Sequence, residues 1–555
     1  MATLPALTYF WRPVGAADDA WTEAPGGSFQ PGAGVEVEVV SLGPSRARSI
    51  VADTTPAAGA LAAQDLQAGT SGVIDAGAVF TGANLVFALL DAPGWASIDP
   101  DTGAIAWSAP AAPGAAGTWR VRAGNSSGAA EIAFAVEVVA TPASVEWSPA
   151  GDIFPVKAYY TPATGEFSTD YDAAAYAYAG PNVLHVSASA GDDGTGDGSS
   201  GAPYATIGKA ILEAGAAETR IEIAAGRYPE NLGVISGKTL TLIGTGEVIV
   251  GAFLGSADVT WTDGSGVAGA GAWKATPASG SVSNMIDLTL TRLGRPQVAL
   301  RRQGNAIFQA ALDAGVPAIW TGSSLAYIAA SDRRDIRGEE DATIVLVSST
   351  PHTVTLASSA IYVRGVIFAG VTLGGDAASA FVAEDCVICS GGGADNTDFA
   401  GGATIYVGCL IGGGFTGDAC DYGGGVGVEI GCVVGLCGSN SANNASTGHG
   451  SAVLSINSVY EGASRTVNDI GAGVRVMGGC TVGGFQIDDA ANIMAGLSGA
   501  THAMTMHLAG ITHHPDAVTD LFVGDGGSAT VYDDYAGWTV TTEGTGAVAA
   551  GTLPS

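Results

Sequence analysis

From about residue 361 to 485 a short apolar phrase, opened by one small polar residue, returns at a nearly constant interval. Its copies are Gly365-Val366-Ile367-Phe368, Asp385-Cys386-Val387-Ile388, Gly408-Cys409-Leu410-Ile411, Gly431-Cys432-Val433-Val434, Asn457-Ser458-Val459-Tyr460 and Gly479-Cys480-Thr481-Val482. The second slot holds Val366, Cys386, Cys409, Cys432, Ser458 and Cys480, so the steps are 20, 23, 23, 26 and 22 residues. A period near 23 made of short β-type runs and glycine-rich spacers excludes a helical array, whose units carry helices of about a dozen residues. It predicts coils of a β-solenoid, with neighbouring coils paired in parallel about 4.8 Å apart. One coil cannot bury its own apolar side, so each relies on the next, and the crowded slot takes small side chains such as cysteine.

The pattern outside the repeat predicts other elements. Val35 to Val40 alternates and reads as a half-exposed strand. Strand-like phrases at 85–89, 105–107, 119–122 and 132–138, with the turn Asp99-Pro100-Asp101-Thr102-Gly103, predict a β-sandwich. Pro142, Pro149, Pro155 and Pro162 mark a linker. Ile207, Ala210, Ile211 and Ala214 fall on one helical face that Gly215 ends, short enough to cover the open end of a first coil. Between 252 and 345 the period is lost, which predicts an insertion. The resulting division is an N-terminal attachment module (1–65), a sandwich (66–140), a linker (141–180), the solenoid (181–500) and a C-terminal cap (501–555).

Composition agrees with an elongated repeat protein: 555 residues, 84 glycines and 13% charged side chains. Arginine and lysine number 21 against 53 acidic residues, a formal charge of -32, with only four lysines. Such acidity excludes nucleic acid and anionic membrane as partners. No run of 18 apolar residues is present, so no spanning helix and no membrane insertion are expected. The first residues lack a basic and apolar leader, so work outside a cell implies another exit, such as release on lysis. Five of the seven cysteines lie in the repeats, and stacking is expected to bury them as a free-thiol ladder, adjacent-coil disulfides being the alternative. Cys386 and Cys389 have no second pair at zinc-site spacing.

Two segments carry family resemblances. Ile98 to Ile105, Gly117-Thr118-Trp119 and Val136 to Val138 resemble immunoglobulin-like domains marked by Asp-x-x-Thr-Gly-x-Ile and a closing Val-x-Val strand, which implies a spacer or adhesion module. Gly191-Asp192-Asp193, Pro203-Tyr204-Ala205-Thr206-Ile207 and Ala225-Gly226-Arg227-Tyr228-Pro229-Glu230 resemble the opening of pectate-lyase-like parallel β-helix domains. That resemblance implies a mainly-β protein with a single-stranded right-handed parallel β-helix. Asp192, Asp193 and Asp197 read as a capping turn, with calcium the alternative.

Loops at 394–399, 417–422 and 439–444 follow equivalent strands, so they are expected to line one lateral groove. Asp395, Asp398, Asp418, Asp421, Tyr422, Asn443 and His449 are the candidate sugar contacts there. The four aspartates are also candidate acids of a glycosidase, with His449 a candidate base, against the plainer reading of turn-forming residues. The basic run 332–337 is expected to pair with local acids, or else to hold an anionic sugar. Four histidines between 502 and 514 are candidate metal ligands only in the weak sense of proximity. No metal site and no cofactor are expected, calcium being the one ion held open.

The domain order resembles tail spikes, tail fibres and head spikes of bacteriophages and gene transfer agents. That resemblance implies a virion-surface protein assembled in a bacterial cytoplasm, a homo-oligomer with the trimer favoured. Its N-terminal module would dock on other virion proteins and its β-helix would bind host surface polysaccharide. The alternative is a polysaccharide-degrading lyase or glycosidase, secreted or particle-borne.

Overall fold

Every copy of the repeat phrase turns a corner. In the computed structural model its first residue has left-handed backbone, with φ of 68° at Gly365, 57° at Asp385, 59° at Gly408 and Gly431, 52° at Asn457 and 64° at Gly479. Only glycine, asparagine and aspartate adopt that conformation at small cost, which accounts for the composition of the slot. The following residue then points inward. Cys386, Cys409, Cys432 and Cys480 are buried in one continuous core, Ser458 is buried at the equivalent place, and all seven cysteines are free thiols.

The structure describes residues 54–554 apart from short stretches (111, 141–142, 293, 302–304, 314, 322–324, 391–394, 414–416, 438–443, 464, 484–490, 497, 499–500, 514–518 and 533–536). Before residue 54 it describes four strands, Tyr9–Pro13, Thr22–Ala24, Glu36–Ser41 and Arg48–Val51, in one antiparallel sheet. Asn443 and His514 lie outside the described residues.

The chain divides into two units, Met1–Ala143 and Ser144–Ser555. In the first, a three-stranded and a four-stranded sheet enclose Trp119, Ile105, Phe134 and Val121, a β-sandwich. The second is a parallel β-solenoid. An eighteen-stranded sheet supplies two faces of each coil and a ten-stranded sheet the third. The first face includes Ala380–Glu384, Ala403–Val407 and Val426–Ile430; the second, past the corner, includes Val387–Cys389 and Leu410–Gly412. The third includes Thr397–Phe399, Cys420–Tyr422, Asn444–His449 and Arg465–Ile470. Successive coils pair in register, for example Thr397↔Cys420↔Ser446↔Val467.

Helix Ile207–Glu213 closes the N-terminal end, its Ile207, Ala210 and Ile211 packed into the first coils. Thr206 caps it, and the Glu230 carboxylate accepts from the amides of Ile207 and Gly208 at 2.8 Å each, where the helix dipole favours negative charge. The aspartate-rich loop is spent on backbone amides: Asp192 on Gly194 and Thr195, Asp193 on Ala205 and Thr206, Asp197 on Ser199. These are turn and capping roles.

Two faces of the solenoid are covered from outside. The segment expected to be a linker instead packs on the first face as a strap, with Trp147, Val156 and Phe167 against Ile405, Val428, Leu454 and Val476. Apolar outward residues drive this, since each side chain buried there gains about 1.5–3 kcal/mol. The insertion forms its own four- and five-stranded sheets and covers the second face, burying Ile367, Val387, Leu410 and Val433. Asn284 Nδ2 donating to the Gly413 carbonyl at 3.0 Å and Arg295 to that of Gly408 at 2.8 Å hold it in place. Its basic run pairs locally, Arg334 with Asp287, Asp332 and Glu339, and Arg337 with Asp335.

The C-terminal residues expected as a cap continue the coils, through Thr519–Val523, Ser528–Val531 and Ala547–Ala550. The described histidines do not converge: His507 faces Tyr532, His502 accepts from Gly471, and His513 points into the core. His513 lies 3.3 Å from Asp520 and 3.4 Å from Asn492, with Trp538 at 4.2 Å between ring centroids. Burial pushes this imidazole down to about 4, against the opposing pull of Asp520. A histidine held neutral in the fold binds its proton first when unfolded, so stability is complete above pH 6.5 and falls as pH drops from 6.5 to 4. The loss expected is on the order of 3 kcal/mol. His513→Gln should flatten that limb in denaturant titrations at pH 7 and pH 4.5.

Candidate functional site

On the third face the outward column runs Thr355, Gly374, Asp398, Asp421, Thr447, Asn468, Met494, one residue per coil. Exposure falls along it. Thr355 and Asp398 are exposed, Asp421 keeps 17% of its side chain exposed, and Thr447, Asn468 and Met494 are buried. Asp421 therefore sits where an open polar face meets a covered one.

Just before the strands, equivalent residues build a ladder. Asp395 Oδ1 accepts from the Asp418 amide at 2.5 Å, and Asp418 accepts from the Asn444 amide (2.7 Å), its Nδ2 (3.0 Å) and the Thr447 hydroxyl (2.5 Å). Asp418 is 8% exposed and its donors compensate that burial. Asp421 is held differently. Its Oδ1 has no hydrogen-bond donor and lies 3.4 Å from His449 Nε2. Burial, with Asp395, Asp418 and Asp398 adding repulsion, pushes its carboxyl up to about 8; Asp395 and Asp418 are also raised, chiefly by burial. At neutral pH Asp421 thus carries its proton.

Inside the same strands lies a second constellation that sequence reasoning missed. Tyr422, expected among the sugar contacts, is 1% exposed and turned inward, because it neighbours an outward residue on a strand. Its hydroxyl donates to Glu429 at 3.0 Å, beside donations from Ser446 (2.9 Å), Ser455 (3.0 Å) and Tyr460. Gly427 makes room for the Tyr422 ring, since a Cβ there would stand 2.5 Å from it. Arg475 bridges Asp469 at 2.6 and 2.9 Å and lies 3.6 Å from Glu429, all three fully buried. Alternation within Val426-Gly427-Val428-Glu429-Ile430 points the other way, setting Glu429 opposite three apolar residues; those three face outward beneath the strap, so Glu429 turns into the coil. Thr447 lies one repeat step beyond Asp421.

Residues 189–271, the helix cap and first coils, match a family described as a protein of unknown function (DUF1565). No curated protein matches the chain. Solved structures similar to this chain include two enzymes. The pectin methylesterase of Aspergillus niger in deglycosylated form is 12% identical, covering 68% of this chain and 93% of that one, with a TM-score of 0.21. The GH136 lacto-N-biosidase of Eubacterium ramulus is 8% identical, covering 67% and 68%, with a TM-score of 0.20. Likenesses this slight leave the chemistry to the residues themselves.

One oxygen each from Asp395, Asp418 and Asp421 lie within 4.8 Å of one another. No metal was expected here, yet three hard oxygens at that spacing suit a divalent cation such as calcium, whose bonds are about 2.3–2.6 Å. The ion would have to displace the Asp421 proton. Calcium is accordingly expected to raise the unfolding temperature more at pH 9 than at pH 6, and not at all in Asp418→Asn; calorimetry at both pH values checks this.

Proposed function

We propose that this chain is a polysaccharide-degrading β-helix enzyme of the glycosidase kind, working on the third face of the solenoid. The observation that carries the reading is the register pair Asp398↔Asp421, outward on adjoining strands with one residue exposed and the other half-sheltered and protonated. Adjoining parallel strands lie about 4.8 Å apart, a spacing on the scale of the about 5–5.5 Å that separates the two carboxyl groups of retaining glycosidases. Asp421 would give its proton to the leaving glycosidic oxygen while the Asp398 carboxylate bonds to the sugar carbon. Water, deprotonated by Asp421, would then release the sugar and restore both groups. His449 Nε2 stands 3.4 Å from the Asp421 carboxyl, at the edge of this pair. The exposed stretch of this face about Asp398 is where a polymer would lie.

The test is incubation of the purified protein with capsule, lipopolysaccharide and plant-type polysaccharides, reading both retention and glycan size over time. Shortening that disappears in Asp421→Asn supports the enzyme. Retention without shortening supports instead the receptor-binding spike of a phage-like particle, which would use the same face. Neither result from any glycan overturns both.

A further inference from the structure

A cleft of about 410 Å³ lies between the strap and the first coils, on the first face and so away from the carboxylates of the third. Its volume is in the range of small-ligand pockets, about 300–1,000 Å³. Its floor includes Thr239, Ala360 and Ala380, register partners on three successive coils, so the cleft runs along the solenoid axis in steps of about 4.8 Å. Tyr176 and Tyr178 line its strap side and Glu218 is its charged group.

The aromatic wall is built to stay in place. Tyr176 stacks on Tyr171, with ring centroids 5.5 Å apart and planes 12° apart. Tyr171 and Tyr362 both donate to Glu384 Oε2, at 3.3 and 2.6 Å, which ties the strap to the sheet below. The Tyr178 amide donates to Thr241 Oγ1 at 2.8 Å and fixes the strap's far end. A preorganised aromatic platform, a floor in which Ala360 and Ala380 leave room between Thr239, Tyr362 and Val382, and a few hydroxyl and carboxylate groups suit a ring with one apolar face and a hydroxyl rim.

We infer that this cleft is a saccharide-binding subsite, taking uncharged pyranose units of an extended glycan with Tyr176 as the stacking surface and Thr239 and Glu218 as polar partners. Anions are disfavoured, because no cationic residue lines the cleft and the chain carries a formal charge of -32. A purely apolar ligand would leave Thr239 and Glu218 unused. The subsite does not depend on hydrolysis at Asp421.

The experiment is calorimetric titration of the full chain with neutral oligomers of glucose, mannose and N-acetylglucosamine, each also in Asp421→Asn so that cleavage does not intervene. Tyr176→Ala is expected to weaken the best oligomer about tenfold, the scale of one lost aromatic contact. Ala380→Trp, which fills the floor, should abolish the same binding while circular dichroism and unfolding temperature confirm the fold. Unchanged binding in Ala380→Trp overturns the inference even if Tyr176→Ala proves unstable. So does tetramethylammonium binding in place of every oligomer, or no binding at all up to millimolar oligomer. Cleavage of polymer that persists in Ala380→Trp leaves the third-face reading intact, so the two proposals fail separately.

Discussion

Arg475→Ala is expected to cost about 3–5 kcal/mol. The guanidinium is the cation of a fully buried group containing Asp469 and Glu429, and its removal strands two carboxylates in an apolar interior. Glu429→Gln should cost less, because Arg475 keeps its bidentate partner Asp469 and the amide still accepts from Tyr422 and Ser446. Denaturant unfolding of the two variants checks the order. Equal losses would show that hydrogen bonding, and not uncompensated charge, governs this core. The triple replacement Arg475→Met, Glu429→Gln, Asp469→Asn should recover part of the loss, since no uncompensated charge is then left in the interior.

Asp421→Asn is expected to lower glycan cleavage by about 10²–10⁴-fold, the usual contribution of a positioned general acid. Binding should be nearly unchanged, so the effect belongs to kcat and not to KM. The rate of the unaltered protein should decline as pH rises through about 8, where Asp421 loses its proton. The sign follows from role: a raised carboxyl is an acid below its pKa and is spent above it. Asp398→Asn should abolish the covalent step at all pH values, a difference that steady-state rates from pH 5 to 9 would resolve. A rate rising through pH 8 would instead make Asp421 a base and remove the acid assignment.

The corner residues show how the repeat was readable. Gly408, Gly431 and Asn457 are spaced by the coil and chosen by a left-handed backbone, so spacing and composition reported the same local constraint. The helix cap was legible for a similar reason, since Thr206 and the apolar positions Ile207, Ala210 and Ile211 are neighbours in sequence. The candidate aspartates were found because they recur at the repeat step, and the structure brings Asp395, Asp418 and Asp421 together with His449 beside them. Tyr422 was misplaced because a turn-like loop gave no sign of which side of its strand faced in. The strap was read as a linker because prolines signal breaks, while its partners Leu454 and Val476 lie some three hundred residues away.

The coil, its corners, its capping helix and the recurrence of carboxylates are written in the order of residues, because all of them follow from interactions within one repeat or between consecutive ones. Tertiary structure alone decided which faces are covered, which side chains enter the core, and that Asp421 holds a proton at neutral pH. Those outcomes depend on burial and on charges brought close from separate coils, and neither desolvation nor repulsion exists until the coils stack.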